Sequence, residues 1–422
     1  MTTSRSIVPV RALSRGPLSH FFGYYDKCPW EGDGGARVLC HETPNPGQPP
    51  QPEEPVSIGY VRSDGAGRFV PVGESRAWNF QQGAMLQWLP GRAGRIAYND
   101  MRGGRPVAVL SDVDSGERTV LDEAIAAVSP TGEVALSLNF GRLARLRPDY
   151  GYAGAGDPFE AEPCPAGDGV RRVDLKDHAS ELLLPLSRIA ACEADPRFEG
   201  GTHWANHLQF SPRGTRFCFV HRVLHEGGNF HSRLMIARAD GSELRVLIAG
   251  VASHACWLDD DRVVAWAGER KAVGAASAAL PVLPLGRMLR FGYRFLGKPA
   301  WLKSRVLGDG LFVFGPGADA RERLESAGLA SDGHFTFSPD RRWMVTDTYA
   351  DRLGWASVLL HKLGTERLVE VGSFWSPPGL DDEVRCDLHP RWSPDGRKVC
   401  IDSAHEGARQ MYELDVTDLV TA

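Results

Sequence analysis

"CDLHPRWSPDG", residues 386–396, sets a histidine three residues ahead of an aromatic–Ser–Pro–Asp–Gly run. The Pro and the Asp-Gly pair mark a tight turn, and the residues before them suit a short strand. The arrangement recurs upstream. "NHLQFSPRG" puts His207 at the same place, "SHACWLDDD" puts His254 there, and "GHFTFSPDR" puts His334 there. Weaker matches at Tyr24 ("YYDKCP"), Met85 ("MLQWLP") and Ile125 ("IAAVSP") extend the alignment to seven units.

Each unit continues into a second apolar strand, such as "RFCFVH", "WMVTDT" or "KVCIDS". Two further strand-like stretches follow, joined by Asp-Gly, Ser-Gly or Gly-Thr turns of the hairpin kind. Four antiparallel strands repeated about every 50 residues describe the blade of a β-propeller. After His389 only 33 residues remain, enough for three strands, and "SIVPVRAL" (6–13) is available as the fourth. The expectation is therefore an all-β, seven-bladed β-propeller forming one domain over residues 1–422. An N-terminal strand completes the last blade and closes the ring, which removes exposed sheet edges.

Composition agrees with a large all-β core. Of 422 residues, 42% are hydrophobic, and 47 glycines with 29 prolines supply many turns. The net charge of −5 is too mild to point to nucleic acid. No apolar run is long enough to span a membrane, and the start, "MTTSRSIVPVRALSRG", lacks the apolar core of a secretory signal. Eight scattered cysteines without a CxxC pair fit reduced thiols. A cytoplasmic location is the expectation that follows.

In a propeller the first strand of every blade lines the central channel. His207, His254, His334 and His389 then ring one channel mouth. Second strands return to that mouth and end at His41, Asn99, His221, Asp347 and Asp402, 13 to 17 residues later. Two insertions follow second strands and should rise over it, residues 141–168 and residues 269–310. Converging imidazoles repel when protonated, so the ring calls for a metal ion or for neutral histidines. His254, His334, Asp387 and His389 form a mixed nitrogen and oxygen set suited to a divalent ion such as manganese or calcium. Around them lie Trp78, Asn79 and Gln82 ("AWNFQQG"), and His203, Asn206 and His207 ("GTHWANH"). Tyr25, Arg385, His405 and Gln410 complete the candidates. Aromatic rings beside amides and charged groups are the usual lining of a carbohydrate site.

These motifs resemble the propeller polysaccharide lyases, both the oligogalacturonate lyases and the ulvan or rhamnose–glucuronate lyases. "FVHR" resembles the family's strand-end base, which implies that role for His221, with Arg222 where the family often has an acid. "SHACW" resembles its metal-binding His-x-x-Trp stretch, implying His254. "CDLHPRWSPDG" resembles its His-Pro-aromatic-Ser-Pro-Asp stretch, implying His389. Where the family tends to have a further histidine, this chain has Asp387, and its glutamine ligand is not evident. The resemblance implies a uronate-specific lyase acting on acidic carbohydrate by β-elimination. A metal ion or arginine (Arg222, Arg385) would neutralise the carboxylate, and Tyr25 or His405 would protonate the leaving oxygen. Two other readings remain open. One is a non-catalytic scaffold or glycan-binding propeller in polysaccharide assembly. The other is hydrolysis by paired carboxylates, with Asp347 and Asp402 as the pair.

Overall fold

The computed structural model describes residues 2–32, 35–64, 67–268, 308–315, 321–324, 329 and 331–421. The second of the expected insertions, residues 269–310, lies outside them except for its last three residues. The chain is all-β in its architecture, built from antiparallel meanders of propeller type.

The first sheet is Ser19–Phe21, Arg37–Thr43, Val56–Arg62 and Phe69–Ser75, in chain order across the sheet. The second runs from Gln87–Trp88 to Arg118–Leu121 and the third from Ala127–Val128 to Ser180–Pro185 in the same way. Next comes a seven-stranded sheet starting at Thr202–Phe210, in which the 13-residue strand Arg245–Trp257 pairs with Phe230–Arg238 on one side and Val263–Gly268 on the other. Trp343–Asp347 and its neighbours form the next sheet, to which Ser4–Ser6 adds a fifth strand. In the last sheet, Arg391–Trp392, Lys398–Ser403 and Gln410–Asp415 are followed by Val10–Ala12 as the outer strand. The stretch read as the missing fourth strand does pair there, Val10 opposite Leu414 and Ala12 opposite Tyr412.

Sheets are tied to their successors by polar side chains at the ends of second strands. The His41 ring accepts from the Ala84 N–H at 3.0 Å, and Asn99 exchanges two 2.8 Å bonds with the Ile125 backbone. Asp347 accepts from His389 N at 3.0 Å; Asp402 accepts from Phe22 N at 3.2 Å and Gly23 N at 3.3 Å. Each of these groups is buried, where a lost partner costs more than a made bond gains. Asp402 also faces the buried Arg391 guanidinium at 2.9 Å. Both of the acids once paired as hydrolytic candidates are thus engaged with backbone amides.

The first insertion folds as a helix, Phe140–Leu146, followed by a compact loop. Buried Arg142 stitches it down, donating to the carbonyls of His203 (2.6 Å), Glu162 (2.9 Å) and Pro163 (2.6 Å). All eight cysteines are free.

Asp402→Ala leaves Arg391 buried without its counter-charge and two amides without an acceptor. It should cost about 3–5 kcal/mol, read as a lower urea midpoint. His41 supplies a pH dependence. Burial lowers it to about 4, so the unfolded chain takes up a proton first. Stability is complete above the unfolded value of about 6.5, falls as the pH drops below it, and levels off near 4. Between pH 7.5 and pH 5 this one group should remove about 2 kcal/mol, and His41→Asn should flatten the profile.

Candidate functional site

The register of two strands decides which side chains meet. Thr202–Phe210 pairs with Arg216–Leu224 so that Trp204 lies opposite Arg222 and Asn206 opposite Val220. Residues directly opposite share a face and faces alternate along a strand. Trp204, Asn206 and Arg222 therefore occupy one face, and His203, Ala205 and His221 the other. Every buried polar atom without a hydrogen-bond partner in this hairpin's Trp204, Asn206 and Arg222 sits on the first face: Trp204 Nε1, both amide atoms of Asn206, and Arg222 Nε and Nη1. A β-bulge between Asn206 and Gln209 follows, and His207 takes a left-handed backbone, φ 55°. His389 does the same at φ 44°. Non-glycine residues pay on the order of 1–3 kcal/mol for such a conformation, and bulges of this kind re-aim side chains beside functional sites.

Those side chains converge on Tyr24. The His207 ring stacks on it, with centroids 5.2 Å apart and planes 12° apart. His389 meets it edge-on at 5.3 Å and His334 at 6.0 Å. Tyr150, delivered by the first insertion, packs against His207 at 5.0 Å and Tyr24 at 6.1 Å. The Tyr24 hydroxyl and His207 Nδ1 are buried without partners among the described residues. Burial raises the Tyr24 phenol well above its ordinary range and lowers His207 well below that of histidine, the Arg222 charge adding to the second effect.

His334 and His389 lie beside this pair, ring centroids 4.2 Å apart. Asp347 orients them both. Its carboxylate accepts from His334 N at 2.7 Å, His389 N at 3.0 Å, and the His334 Nδ1 proton at 3.0 Å. Nε2 of each histidine is left buried and without a hydrogen-bond partner among the described residues. Ligand atoms of His334, Asp387 and His389 lie within 4.8 Å of one another. Two neutral imidazoles with free lone pairs and one carboxylate suit a divalent cation of borderline or hard character, so the residues present fit such an ion. Burial keeps both histidines neutral, the form that ligates. His254, the fourth expected ligand, packs on His334 at 4.3 Å, but its Nδ1 is bonded to Asp332 at 2.9 Å and it stands outside the trio.

Cations gather around Tyr150. Arg222 is only 6% exposed, and no carboxylate pairs with it among the described residues. Burial, reinforced by Arg147, lowers it to about 10. Arg147 is paired with Asp149 at 3.1 Å. Arg385 is bonded to Asp387 at 2.6 Å, to the Gln81 side chain at 3.1 Å and to the Tyr150 hydroxyl at 3.4 Å.

Other expected site residues are engaged elsewhere. His221 accepts from Arg233 Nε at Nδ1, so its Nε2 proton goes to His203 Nδ1, both at 3.0 Å. His203 in turn donates from Nε2 to the Gly200 carbonyl at 2.9 Å. That relay fixes both tautomers and leaves His221 no free lone pair. The Tyr25 hydroxyl is held by the Ala255 carbonyl and amide at 3.1 and 3.2 Å. His405 bonds Ser403 at 3.0 Å and packs on Tyr412 and Phe374. Trp78 is core, its Nε1 on the Glu54 carbonyl, and Asn79 holds the turn that carries Gln82 through the Gln82 N–H. Gln410 binds Ser14, His20 and the Leu18 carbonyl, fastening the N-terminal segment. Sequence reasoning set Tyr24 at the first position of the opening unit without giving it a chemical role, and it passed over Gln81, Arg147 and Tyr150, for which the repeat carries no signal.

No protein-family model matches the chain, and no curated protein is similar to it. Solved structures are similar. An oligogalacturonate lyase in complex with manganese is 13% identical, with a TM-score of 0.64 over 99% of this chain and 95% of that one. The oligogalacturonate lyase of Vibrio parahaemolyticus is 13% identical, with a TM-score of 0.61 over 98% and 96%. The hydrazine synthase of Kuenenia stuttgartiensis is 10% identical, with a TM-score of 0.50 over 94% and 96%. At these identities the likeness shows the fold alone, and one fold carries unrelated chemistries.

Calorimetric titration with manganese should give one site per chain. His389→Ala should abolish it. Asp347→Asn, which removes charge from the group that orients both histidines, should weaken it 10–100-fold.

Proposed function

We propose that this chain is a seven-bladed propeller, closed by its N-terminal strand, that cleaves uronate-containing oligosaccharides by β-elimination. The long strand Arg245–Trp257 then serves two consecutive blades, which makes seven units of the observed sheets, four strands in each and Ser4–Ser6 added to the sixth. The observation that carries the reading is Arg222. A buried guanidinium without a counter-charge is costly, and an anionic ligand beside Tyr24 would offset that cost.

A uronate carboxylate suits it. Elimination removes the C5 proton, forms the C4–C5 double bond with that electron pair, and releases the oxygen on C4. His207 accepts the C5 proton at Nδ1, being neutral and unpartnered there. Tyr24, still protonated at neutral pH, gives its hydroxyl proton to the leaving oxygen. Arg222 and Arg385 hold the carboxylate as charge moves toward it. A divalent ion held by His334, Asp387 and His389 would supply further neutralisation of that charge. The base thus moves from His221 to His207, and the acid from Tyr25 to Tyr24, because the former pair has no free atoms.

Stacking adds stereochemistry. With the His207 and Tyr24 rings parallel at 5.2 Å, no sugar ring fits between them. Base and acid approach the substrate from one side, which requires the C5 hydrogen and C4 oxygen on the same face. Glucuronate and mannuronate have that arrangement and galacturonate does not. The likeness to oligogalacturonate lyases supports the reaction class and leaves the sugar to this geometry. A cytoplasmic enzyme of this kind would take imported oligosaccharides.

Absorbance near 235 nm follows the unsaturated product across a panel of uronate oligosaccharides. Glucuronate- or mannuronate-containing members should give a rise, lost about 10²–10⁴-fold in His207→Ala and Tyr24→Phe and kept in His221→Gln. A rise only on galacturonate would sink the same-face geometry. A flat trace on every member, with saturable binding of the same sugars, would leave a glycan-binding propeller.

A further inference from the structure

The repeat breaks its own rule at one turn. Four Ser-Pro turns close with the same bond, from the fourth residue's N–H to the serine carbonyl: Gly132 to Ser129 (2.9 Å), Gly214 to Ser211 (2.8 Å), Arg341 to Ser338 (2.8 Å) and Gly396 to Ser393 (2.9 Å). In each, the serine Oγ also accepts the N–H two residues further on. The fourth residue has φ near 70° in the three glycines and 58° in Arg341. That conformation is free for glycine and strained for arginine. A strained side chain that survives where three sister turns use glycine points to a task for that side chain.

The task lies at the Ser-Pro end of the first strands. A cavity of about 590 Å³ opens there, lined by Gln209, Trp257, Phe337, Arg341 and Trp392, with Tyr25 among its walls. Its size suits a small-molecule ligand. Arg341 donates from Nη1 to the Trp257 carbonyl at 3.0 Å, and no carboxylate of the described residues pairs with it. The other wall cations are already neutralised, Lys27 by Asp26 at 3.0 Å and Arg391 by Asp402 at 2.9 Å. Gln209 Oε1 is buried without a donor among the described residues. The cavity therefore offers one unbalanced guanidinium, one vacant acceptor and indole walls. These match a carboxylate, a hydroxyl and the flat face of a pyranose ring.

We propose that this cavity binds an acidic sugar of mono- or disaccharide size, its carboxylate on Arg341 and a hydroxyl on Gln209. The assignment does not depend on the reaction proposed at the histidine mouth, and a chain inactive at 235 nm would still show it.

Titration of glucuronate against tryptophan fluorescence tests it, with glucose as the uncharged control. Wild type and Arg222→Ala should both give a saturable response, and glucose should bind at least tenfold more weakly. Arg341→Gly restores the repeat's own residue and relieves the strain, so its melting temperature should hold or rise. Its response to glucuronate should weaken at least tenfold, with Arg341→Lys in between. Loss of the response in Arg222→Ala would place the sugar at the histidine mouth and overturn the proposal. So would an unchanged titration in Arg341→Gly, which would leave Arg341 a clasp between neighbouring turns.

Discussion

The structure hangs on polar side chains that cross from the end of one second strand into the backbone of the next sheet. His41, Asn99, Asp347 and Asp402 each satisfy amides that the neighbouring unit presents. Without them those amides would be buried and unpaired, since no strand runs between adjacent sheets at these points. The constraint also fixes side-chain type. Only an acceptor of the right reach fits, and at Gly83, next to the His41 ring, there is no room even for a Cβ.

Asp347 shows how this scaffold becomes a site. The same carboxylate that clasps His389 also holds the His334 ring by Nδ1, so two imidazoles are aimed by one group. Burial raises Asp347 to about 7, because desolvation outweighs the two amides that favour its charge. What is left over is informative. Free Nε2 atoms on His334 and His389, a free phenol on Tyr24 and a free guanidinium edge on Arg222 gather around one point. Native cores seldom leave buried polar atoms unpaired, so their concentration here argues for a ligand rather than for packing.

Much of this was legible in the repeat. A motif that carries strand, turn and histidine together ties the histidine to one strand position, and His207, His334 and His389 all pack on Tyr24. Faces were not legible. "FVHR" names His221 and Arg222 as neighbours, yet only the register Trp204–Arg222 sends one to the cluster and the other into a relay with His203 and Arg233. "GYYDK" likewise cannot say which tyrosine is free; the Ala255 backbone takes Tyr25 and leaves Tyr24. Tyr150 and Arg147 arrive on an insertion whose placement rests on Arg142 bonding four carbonyls, a contact with no pattern in sequence.

Tyr25 gives those bonds a second meaning. Its ring lies against His254 at 5.7 Å and His334 at 5.4 Å, while other atoms of the same residue wall the cavity that holds Arg341. A ligand pressing on Tyr25 from the Ser-Pro end would act on a ring already pinned at its hydroxyl, and the freedom left to it is rotation against His334. Two sites can in this way share one wall, and coupling between them would run in both directions.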